Sequence, residues 1–416
     1  MLPQPLLAPA LTYIFAKMTT IHNCTIGAWR RRFLQELFHV MIAMRGRINF
    51  TNMARYSSFC EQTFRRHFQK AFGWVAFNLV LLRLRSHPRE PLIGVFDCSF
   101  LPKSGTETWG IDRFFSSTAG GNRRGLEVSV LGAIATKSRQ ALGLDATQTP
   151  SGLAARKGSD DPNDDYTRID VYREQLLDLA GRLKKADFSI SCWVGDGYYA
   201  KNKMFAAVDQ IGSRLVTRLR ADANLRYLYT GPPTGTRGPE KQYDGKINWK
   251  DRRQLERRFE EVGRLSGRPE VRVLTTVANS PHFKRDFRVV LLLGPEDHVV
   301  LCSTDTTQPA EQIAEYYRLR YQIEFVIRDA KQHAGLTHCQ ARSQEKIDFH
   351  LNASLATVGL LRLLTHQAGQ SLHTYRREAY NRMLIDRLLS KLGLQAEFDR
   401  SDPRLQEVVR TGRMTV

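Results

Sequence analysis

Four polar side chains fall on one stripe of a segment that is predicted to form a single helix. The segment from Glu315 to Leu336 holds no proline, its glycine comes near the end, and its composition favours helix. At about 100° per residue, the stripe is shared by Tyr317, Arg320, Glu324 and Lys331. A carboxylate between cations can serve a metal or phosphate site. Taken alone, the stripe is at least as typical of an exposed helix with an i,i+4 ion pair worth roughly a few tenths of a kcal/mol.

The neighbouring arc of the same helix is apolar and must pack on another element. It consists of Tyr316, Leu319, Ile323, Val326, Ile327 and Ala330. The polar stripe is therefore expected at the edge of a buried contact, with Glu324 near its middle.

Two aspartates follow strand-like segments elsewhere in the chain. The run Leu92–Phe100 is apolar up to Asp97, and the run Ile190–Val194 leads into Asp196 between two glycines. A carboxylate beside a buried run is costly unless it is paired, hydrogen-bonded or bound to a metal. For either aspartate alone, a strand-end cap or a turn residue is at least as plausible as a ligand.

Together with Glu324, the two aspartates form a set of three carboxylates that suits phosphodiester cleavage. Two divalent ions about 3.5–4 Å apart can activate the attacking oxygen and neutralise the leaving one. Hard oxygen ligands suit Mg²⁺ or Mn²⁺. No His/Cys cluster has zinc-ligand spacing, and no GxSxG elbow supports a serine nucleophile. The six cysteines are scattered without a CxxC pair, which indicates a reducing compartment.

The order Tyr, two residues, Arg, three residues, Glu, six residues, Lys resembles the signature helix of one transposase family. This family is the DDE transposases of the bacterial insertion-sequence-four group, and the match is complete at positions 317, 320, 324 and 331. The strand, Asp and Gly around Asp196 resemble the second aspartate of that group. The resemblance covers about Leu92 to Leu336 and implies an RNase H-like fold with a β-rich insertion before the last helix.

The resemblance also implies the reaction and the roles of the residues. Asp97, Asp196 and Glu324 would bind Mg²⁺ (or Mn²⁺), a water would nick the transposon end, and the freed 3′-OH would attack another phosphodiester. Tyr317 and Lys331 would contact DNA phosphates, and Arg320 would support the site. The family holds a flipped base with an aromatic side chain of the insertion. Trp249 is a candidate for that role, although a packing role is the simpler interpretation.

Residues 1–90 carry half of the net positive charge of the chain. The formal net charge is +20, and this region holds thirteen Lys or Arg against three Glu. Such a field points to a polyanion, and double-stranded DNA is favoured over a membrane because no uncharged run reaches the roughly 20 residues of a span. We expect binding to transposon ends and target DNA, no membrane contact, a homodimer on DNA, and a cytoplasmic, nucleoid-associated protein.

Within this region, residues 52–72 resemble a helix-turn-helix. A short helix is predicted around Met53–Tyr56, and a second helix is predicted to start at Ser57 and Ser58 and to run through Lys70. Its groove-facing side chains would be Gln62, Thr63, Arg65, Arg66 and His67. A basic, solvated helix pair without a DNA partner is the alternative.

The predicted fold class is α/β: an RNase H-like catalytic core with a β-rich insertion, flanked by N-terminal and C-terminal helical regions. The predicted regions are a helical DNA-binding domain (1–90), the first part of the core (91–220), the insertion (221–285), the second part of the core with the signature helix (286–340) and a C-terminal helical region (341–416). Gly120–Gly125 is predicted as a basic turn before a strand at Leu126–Thr136, and Asp160–Asp165 as an acidic, solvated loop.

Two other functions compete with transposition. One is an RNase H-like nuclease without strand transfer. The other is a DNA-binding repressor derived from a transposase, which would be favoured by the loss of a carboxylate. All three carboxylates and the signature segment are present in this sequence.

Overall fold

The computed structural model describes residues 7–87, 89–153, 165–233, 239–394, 399 and 401–412. The aspartates at positions 160, 161 and 164 of the predicted acidic loop lie outside the described residues. The strands are β1 (Leu92–Pro102), β2 (Asp112–Ser116), β3 (Gly121–Ala135), β4 (Gln140–Gln148), β5 (Cys192–Val194), β6 (Arg214–Arg218), β7 (Arg226–Leu228), β8 (Tyr243–Lys246), β9 (Glu260–Leu265), β10 (Arg268–Ser280), β11 (Arg285–Leu293) and β12 (His298–Ser303).

The described residues also form α-helices. They are α1 (Leu7–His22), α2 (Ala28–Ala43), α3 (Phe50–Arg55), α4 (Glu61–His67), α5 (Trp74–Arg85), α6 (Arg168–Lys185), α7 (Asn202–Gln210), α8 (Arg252–Arg258), α9 (Ala310–Leu319), α10 (Tyr321–His333), α11 (Gln344–Ala368), α12 (Leu372–Lys391) and α13 (Pro403–Val409). None of the described helices is both long enough and apolar enough to cross a bilayer.

The described strands form one large mixed sheet, so the fold is mixed α/β. Its order is β2-β3-β1-β5-β6-β12-β11-β10-β7-β8, with β4 paired to β3 and β9 paired to β10. The strand β3 runs antiparallel to both β1 and β4, whereas β5 is parallel to β1 and β6 is parallel to β5. The helices α6 and α7 make the crossovers to β5 and β6, as parallel pairs require.

The segment predicted as an insertion is rich in strands, and these strands continue the main sheet. β10 pairs with β11 along nine residue pairs, from Arg272↔Leu293 to Ser280↔Arg285. The predicted hairpin at Arg288–Asp305 corresponds to β11 and β12, which pair from Arg288 to Leu293. Because β6 pairs with β12, the chain returns to the parallel strands directly after this hairpin.

The N-terminal helices share a hydrophobic core with the sheet and with α11. The ring of Phe349 on α11 lies 4.4 Å from that of Phe68 and 4.9 Å from that of Trp74 between centroids. The Asn78 side-chain amide of α5 donates to the Leu144 carbonyl of β4 at 2.9 Å. The helices α5 and α11 therefore pack on β4 and on each other.

The segment predicted as one helix from Glu315 to Leu336 is in fact two. α9 ends at Leu319, α10 begins at Tyr321, and Arg320 joins them in helical conformation. The Arg320 N–H bonds to the Tyr317 carbonyl, and the Ile323 N–H bonds to the Arg320 carbonyl. These are i→i−3 bonds, so the α-helical ladder tightens at Arg320 and is interrupted there. The apolar face is confirmed, because Ile323, Val326, Ile327 and Ala330 are buried on α10 and Leu319 on α9.

Two other local predictions are wrong. The second helix of the predicted helix-turn-helix begins at Glu61 and not at Ser57. The Ser57 hydroxyl donates to Glu36 at 2.7 Å, so Ser57 belongs to the turn before the helix. The residues predicted as a basic turn belong to β3, which starts at Gly121 and pairs with β2. Pairing with a strand that the sequence pattern did not reveal thus lengthens β3.

Candidate active site

Asp97 and Asp196 lie side by side because β1 and β5 are parallel neighbours. Val95 is paired with Val194, and each aspartate follows two residues further along its own chain. Asp97 was predicted to lie at the end of a strand, but β1 continues beyond it to Pro102, and Asp97 is paired with Val130 of β3. Asp196 lies just past β5 and begins a short 3₁₀ helix, where its Oδ1 accepts the Tyr198 N–H at 2.9 Å.

The helix α10 brings Glu324 to the same place. Ile323 of α10 packs over Gly132, where an added Cβ would lie 2.8 Å from the Ile323 Cδ1 atom. A side chain at position 132 would therefore separate α10 from the sheet. The neighbouring Glu324 is partly exposed, and one of its oxygens lies 3.0 Å from the Arg320 guanidinium.

The electrostatics of Asp97 show that the three carboxylates share one environment. Burial raises the pKa of Asp97 to about 7, the Arg320 charge opposes this shift, and the Asp196 and Glu324 charges add to it. Like charges that disfavour each other's ionised form must lie close together. The buried Arg320, whose side chain is 9% exposed, supplies a positive charge that interacts with all three carboxylates.

The donor set fits a hard divalent cation in its chemistry. Asp97, Asp196 and Glu324 offer only carboxylate oxygens, which Mg²⁺ and Mn²⁺ prefer. Over the part of the chain that the structure describes, no three His, Cys, Asp or Glu side chains are already arranged to hold a metal ion. Glu324 is paired with Arg320.

Lys331 and Tyr317 also lie near the two aspartates. The Lys331 ammonium donates to the Phe100 carbonyl of β1 at 3.1 Å. Burial lowers the pKa of Lys331 and the Asp97 charge raises it, so the two residues lie within electrostatic reach. Burial likewise raises the pKa of Tyr317, whose charged neighbours include Arg320, Arg218 and Asp196. Each of the four residues of the predicted stripe thus lies within electrostatic reach of at least one of the two aspartates.

Sequence reasoning missed two exposed aromatic residues beside Glu324. Tyr321 is 52% exposed and Phe325 is 40% exposed. The Arg320 guanidinium lies 5.0 Å from the centroid of the Tyr321 ring. Their spacing of four residues places them on one side of α10, and this spacing was the available signal. They add a surface for stacking beside the carboxylates.

The remaining predicted residues lie on other elements. Arg65 and Arg66 are on α4, where Arg65 is paired with Glu61 and Arg66 is exposed. His67 was predicted to face the DNA groove, but it is buried. It is 4% exposed and stacks on Phe33 with ring centroids 3.9 Å apart.

Trp249 precedes α8 and has a packing role. Its indole N–H donates to the Ala223 carbonyl at 2.7 Å, and its ring is stacked on that of His298 at 5.9 Å. The side chain is 8% exposed, so little of the ring is available to a ligand.

Comparison with known proteins supports one class of enzyme. Residues 172–359 match the family model of the transposase DDE domain, a segment somewhat shorter than half of the chain. It contains Asp196 and Glu324, whereas Asp97 precedes it. The match supports a DDE transposase, a class of enzyme that cleaves and transposes DNA and that typically uses a divalent metal.

The other comparisons add little. No curated protein sequence matches the chain. Among solved structures, the chain is similar to Ciona intestinalis endonuclease V in complex with a 24mer DNA containing an inosine followed by a ribo-adenosine. The identity is 12% and the TM-score is 0.27, with 65% of this chain and 91% of that chain covered. At this TM-score the likeness carries no argument.

Proposed function

We propose that this protein is a DDE transposase of the bacterial insertion-sequence-four group, which cleaves the ends of its element and joins the 3′-OH to target DNA. The observation that carries the proposal is the convergence of β1, β5 and α10, through which Asp196 and Glu324 both raise the pKa of Asp97. Three carboxylates on separate elements are brought together at the cost of mutual repulsion, which a cation-dependent phosphoryl-transfer site would relieve.

The topology around the site supports an RNase H-like core. Three antiparallel strands, β4, β3 and β1, are followed by β5 and β6, which are parallel to β1, with α6 and α7 in the crossovers. Asp97 lies on β1 and Asp196 lies just past the neighbouring parallel strand β5, and α10 packs on β4, β1 and β3. We infer that residues 1–90 form the main DNA-binding region beside this core and that two copies assemble on DNA.

Each residue of the site has a task that follows from its chemistry. Divalent ions at Asp97, Asp196 and Glu324 would lower the pKa of an attacking water and offset negative charge at the scissile phosphate. The Tyr198 N–H fixes the orientation of Asp196. Lys331, a donor without acceptor capacity, binds a neighbouring phosphate and aligns the strand. Arg320 stabilises the carboxylates through its charge until Glu324 leaves its ion pair with Arg320 and joins the two aspartates as a metal ligand.

A supercoiled plasmid that carries the coding region with its flanking DNA tests this proposal. With Mg²⁺, the wild-type protein should give excised and inserted products, and Asp97→Ala should give neither while still binding the ends. Nicked or linear DNA without inserted products would indicate a nuclease instead. Binding without any cleavage by the wild type would indicate a repressor.

A further inference from the structure

The hairpin formed by β2 and β3 presents two arginines and a phenylalanine on one face. Arg113 is paired directly with Arg124, and Phe115 is paired with Asn122. All four side chains are exposed, and Phe115 is 60% exposed. Neither arginine forms an ion pair with a described residue. Like charges directly opposite each other on a sheet are destabilising, so this face is suited to a polyanion.

The register of the sheet places this face on the side that carries Asp97. Asp97 is paired with Val130, and paired residues point to the same face of an antiparallel ladder. Arg124 lies six residues before Val130 on β3, and side chains alternate strictly with a period of two. No bulge interrupts the pairing of β3 with β1 or β2. Arg124 therefore points to the active-site face, about 20 Å from Val130 at about 3.3 Å per residue.

A basic cavity lies between the hairpin and the segment that follows α10. Its volume is about 870 Å³, and Arg124 lines it together with Arg47 and Arg342, which are also exposed. Glu107 is the acidic side chain in the lining. The Lys103 ammonium in the same wall donates to the Ala341 carbonyl at 3.3 Å. The cavity begins where β1 ends, two residues beyond the carbonyl that binds Lys331.

We propose that the β2–β3 hairpin is a DNA-contacting arm of the enzyme. Arg113 and Arg124 bind backbone phosphates about 20 Å from the scissile phosphate, which corresponds to about six base pairs at about 3.4 Å each. Phe115 packs on the deoxyribose of the same stretch. The inference rests on the proposed function, because the position of the scissile phosphate is set by Asp97, Asp196 and Glu324.

Salt-dependent binding of the full chain tests the arm. All variants also carry Asp97→Ala, so that the DNA is bound but not cleaved. Affinity is measured for a 40-base-pair duplex that contains the element end and for a duplex of the same length with shuffled sequence. Arg113→Ala/Arg124→Ala should lower the slope of log affinity against log salt by about two, since each phosphate contact contributes about 0.9. Arg113→Lys/Arg124→Lys should keep the slope. Phe115→Ala should weaken binding with the slope unchanged.

The matched control lies on the opposite face of the sheet. Gln175 of α6 donates to the Ser129 carbonyl, and Tyr172 of α6 bonds to Glu127, so α6 covers the side opposite to Asp97. Arg182→Ala/Lys184→Ala on α6 removes the same charge and should leave the slope unchanged. Hydroxyl-radical footprints should lose protection about six nucleotides from the cleavage point only in the hairpin variant.

The outcomes separate the arm from the proposed function. If the Asp97→Ala protein binds neither duplex, the proposed function fails. If it binds and the Arg113→Ala/Arg124→Ala variant shows the same slope as the α6 control, the arm is wrong while the function stands. A lower slope on both duplexes assigns the arm to DNA backbone of any sequence, including a target. A lower slope on the element-end duplex alone assigns it to the transposon end.

Discussion

At the residue scale, Arg320 determines the charge balance of the site. Its neighbours Tyr317, Asp97 and Glu324 raise its pKa against the opposing effect of burial. The guanidinium contacts Glu324 and lies 5.7 Å from the Tyr317 ring centroid. A buried cation beside three carboxylates stabilises their charged forms. If the proposed function holds, the same cation would have to release Glu324 to a bound metal ion.

The roles of Glu324 and Lys331 can be separated by binding measurements. Glu324→Gln removes a ligand charge, so end cleavage should stop while DNA affinity is kept. Lys331→Ala should weaken binding and lower the salt slope by about one, because its ammonium binds a phosphate. The Phe100 carbonyl uses only one of its three donors. An unchanged slope with normal strand transfer in Lys331→Ala would show that its bond to β1 is its whole role.

The stripe of four residues was predictable from sequence because helical spacing alone places them together. The adjacency of Asp97 and Asp196 was not. It depends on the parallel pairing of Val95 with Val194, two positions about 100 residues apart, and no local pattern encodes that register. The exposure of Tyr321 and Phe325 also depends on which elements leave α10 uncovered.

At the element scale, the position of α10 over the sheet depends on a glycine. Gly132 faces both the Leu142 carbonyl and the Ile323 side chain, so an added Cβ would lie 2.7 Å and 2.8 Å from them. The carbonyl belongs to β4 and cannot move freely. Close packing of this kind requires a residue without a side chain and makes α10 sensitive to a single methyl group.

The variant Gly132→Ala should therefore displace α10 and with it Glu324. We expect a loss of about 1–3 kcal/mol in the free energy of unfolding, together with a slower end cleavage. Gly121→Ala on the same strand is the control, since no atom lies within 4 Å of its added Cβ. Urea unfolding and single-turnover cleavage measure the two effects. Wild-type cleavage by a stable Gly132→Ala protein would contradict this account of α10.

Most elements could be predicted from hydrophobic periodicity, but their ends could not. The expected strand Leu92–Phe100 is β1 within two residues. The break at Arg320 was missed because its residues are good helix formers and only the hydrogen-bond pattern changes. The start of α4 was missed because Ser57 caps no helix and instead bonds to Glu36.

At the scale of the whole molecule, the N-terminal helices are joined to the sheet directly by α5 and also through α11. Charge along the sequence predicts a separate N-terminal region, and composition alone could not show that its helices α4 and α5 pack beside Phe349. Two histidines are buried in this joint. His67 of α4 is 4% exposed and His350 of α11 is 2% exposed. Each is held in its neutral form by its surroundings, which makes the joint sensitive to acid.

The pKa of both histidines is lowered to about 4 in the folded protein. Burial is the main cause for each, and Arg30 and Lys70 add to it at His67. In the unfolded chain histidine has a pKa near about 6.5, so acid protonates the unfolded state first. Each histidine thus contributes stability above pH about 6.5 that is lost as the pH falls towards about 4.

Two carboxyl groups act in the opposite direction, so the histidine effect must be measured as a difference. Burial raises the pKa of Asp97 and of Asp348 to about 7, so these groups favour the folded state as the pH falls through 7. Between pH 7.5 and 5.5 the wild type should lose about 2 kcal/mol more than His67→Gln/His350→Gln, about 1 kcal/mol for each histidine.

The amides of that double variant can keep both hydrogen bonds. His67 Nδ1 accepts from Arg30 at 2.7 Å, and the amide oxygen of a glutamine can accept in its place. His350 Nε2 lies 2.7 Å from the Gly335 carbonyl, and the amide nitrogen of a glutamine can donate in its place. Urea midpoints at the two pH values give the difference. His366→Gln, an exposed position on the same helix α11, should follow the wild type. Equal losses in the wild type and the double variant would mean that the joint is not sensitive to protonation.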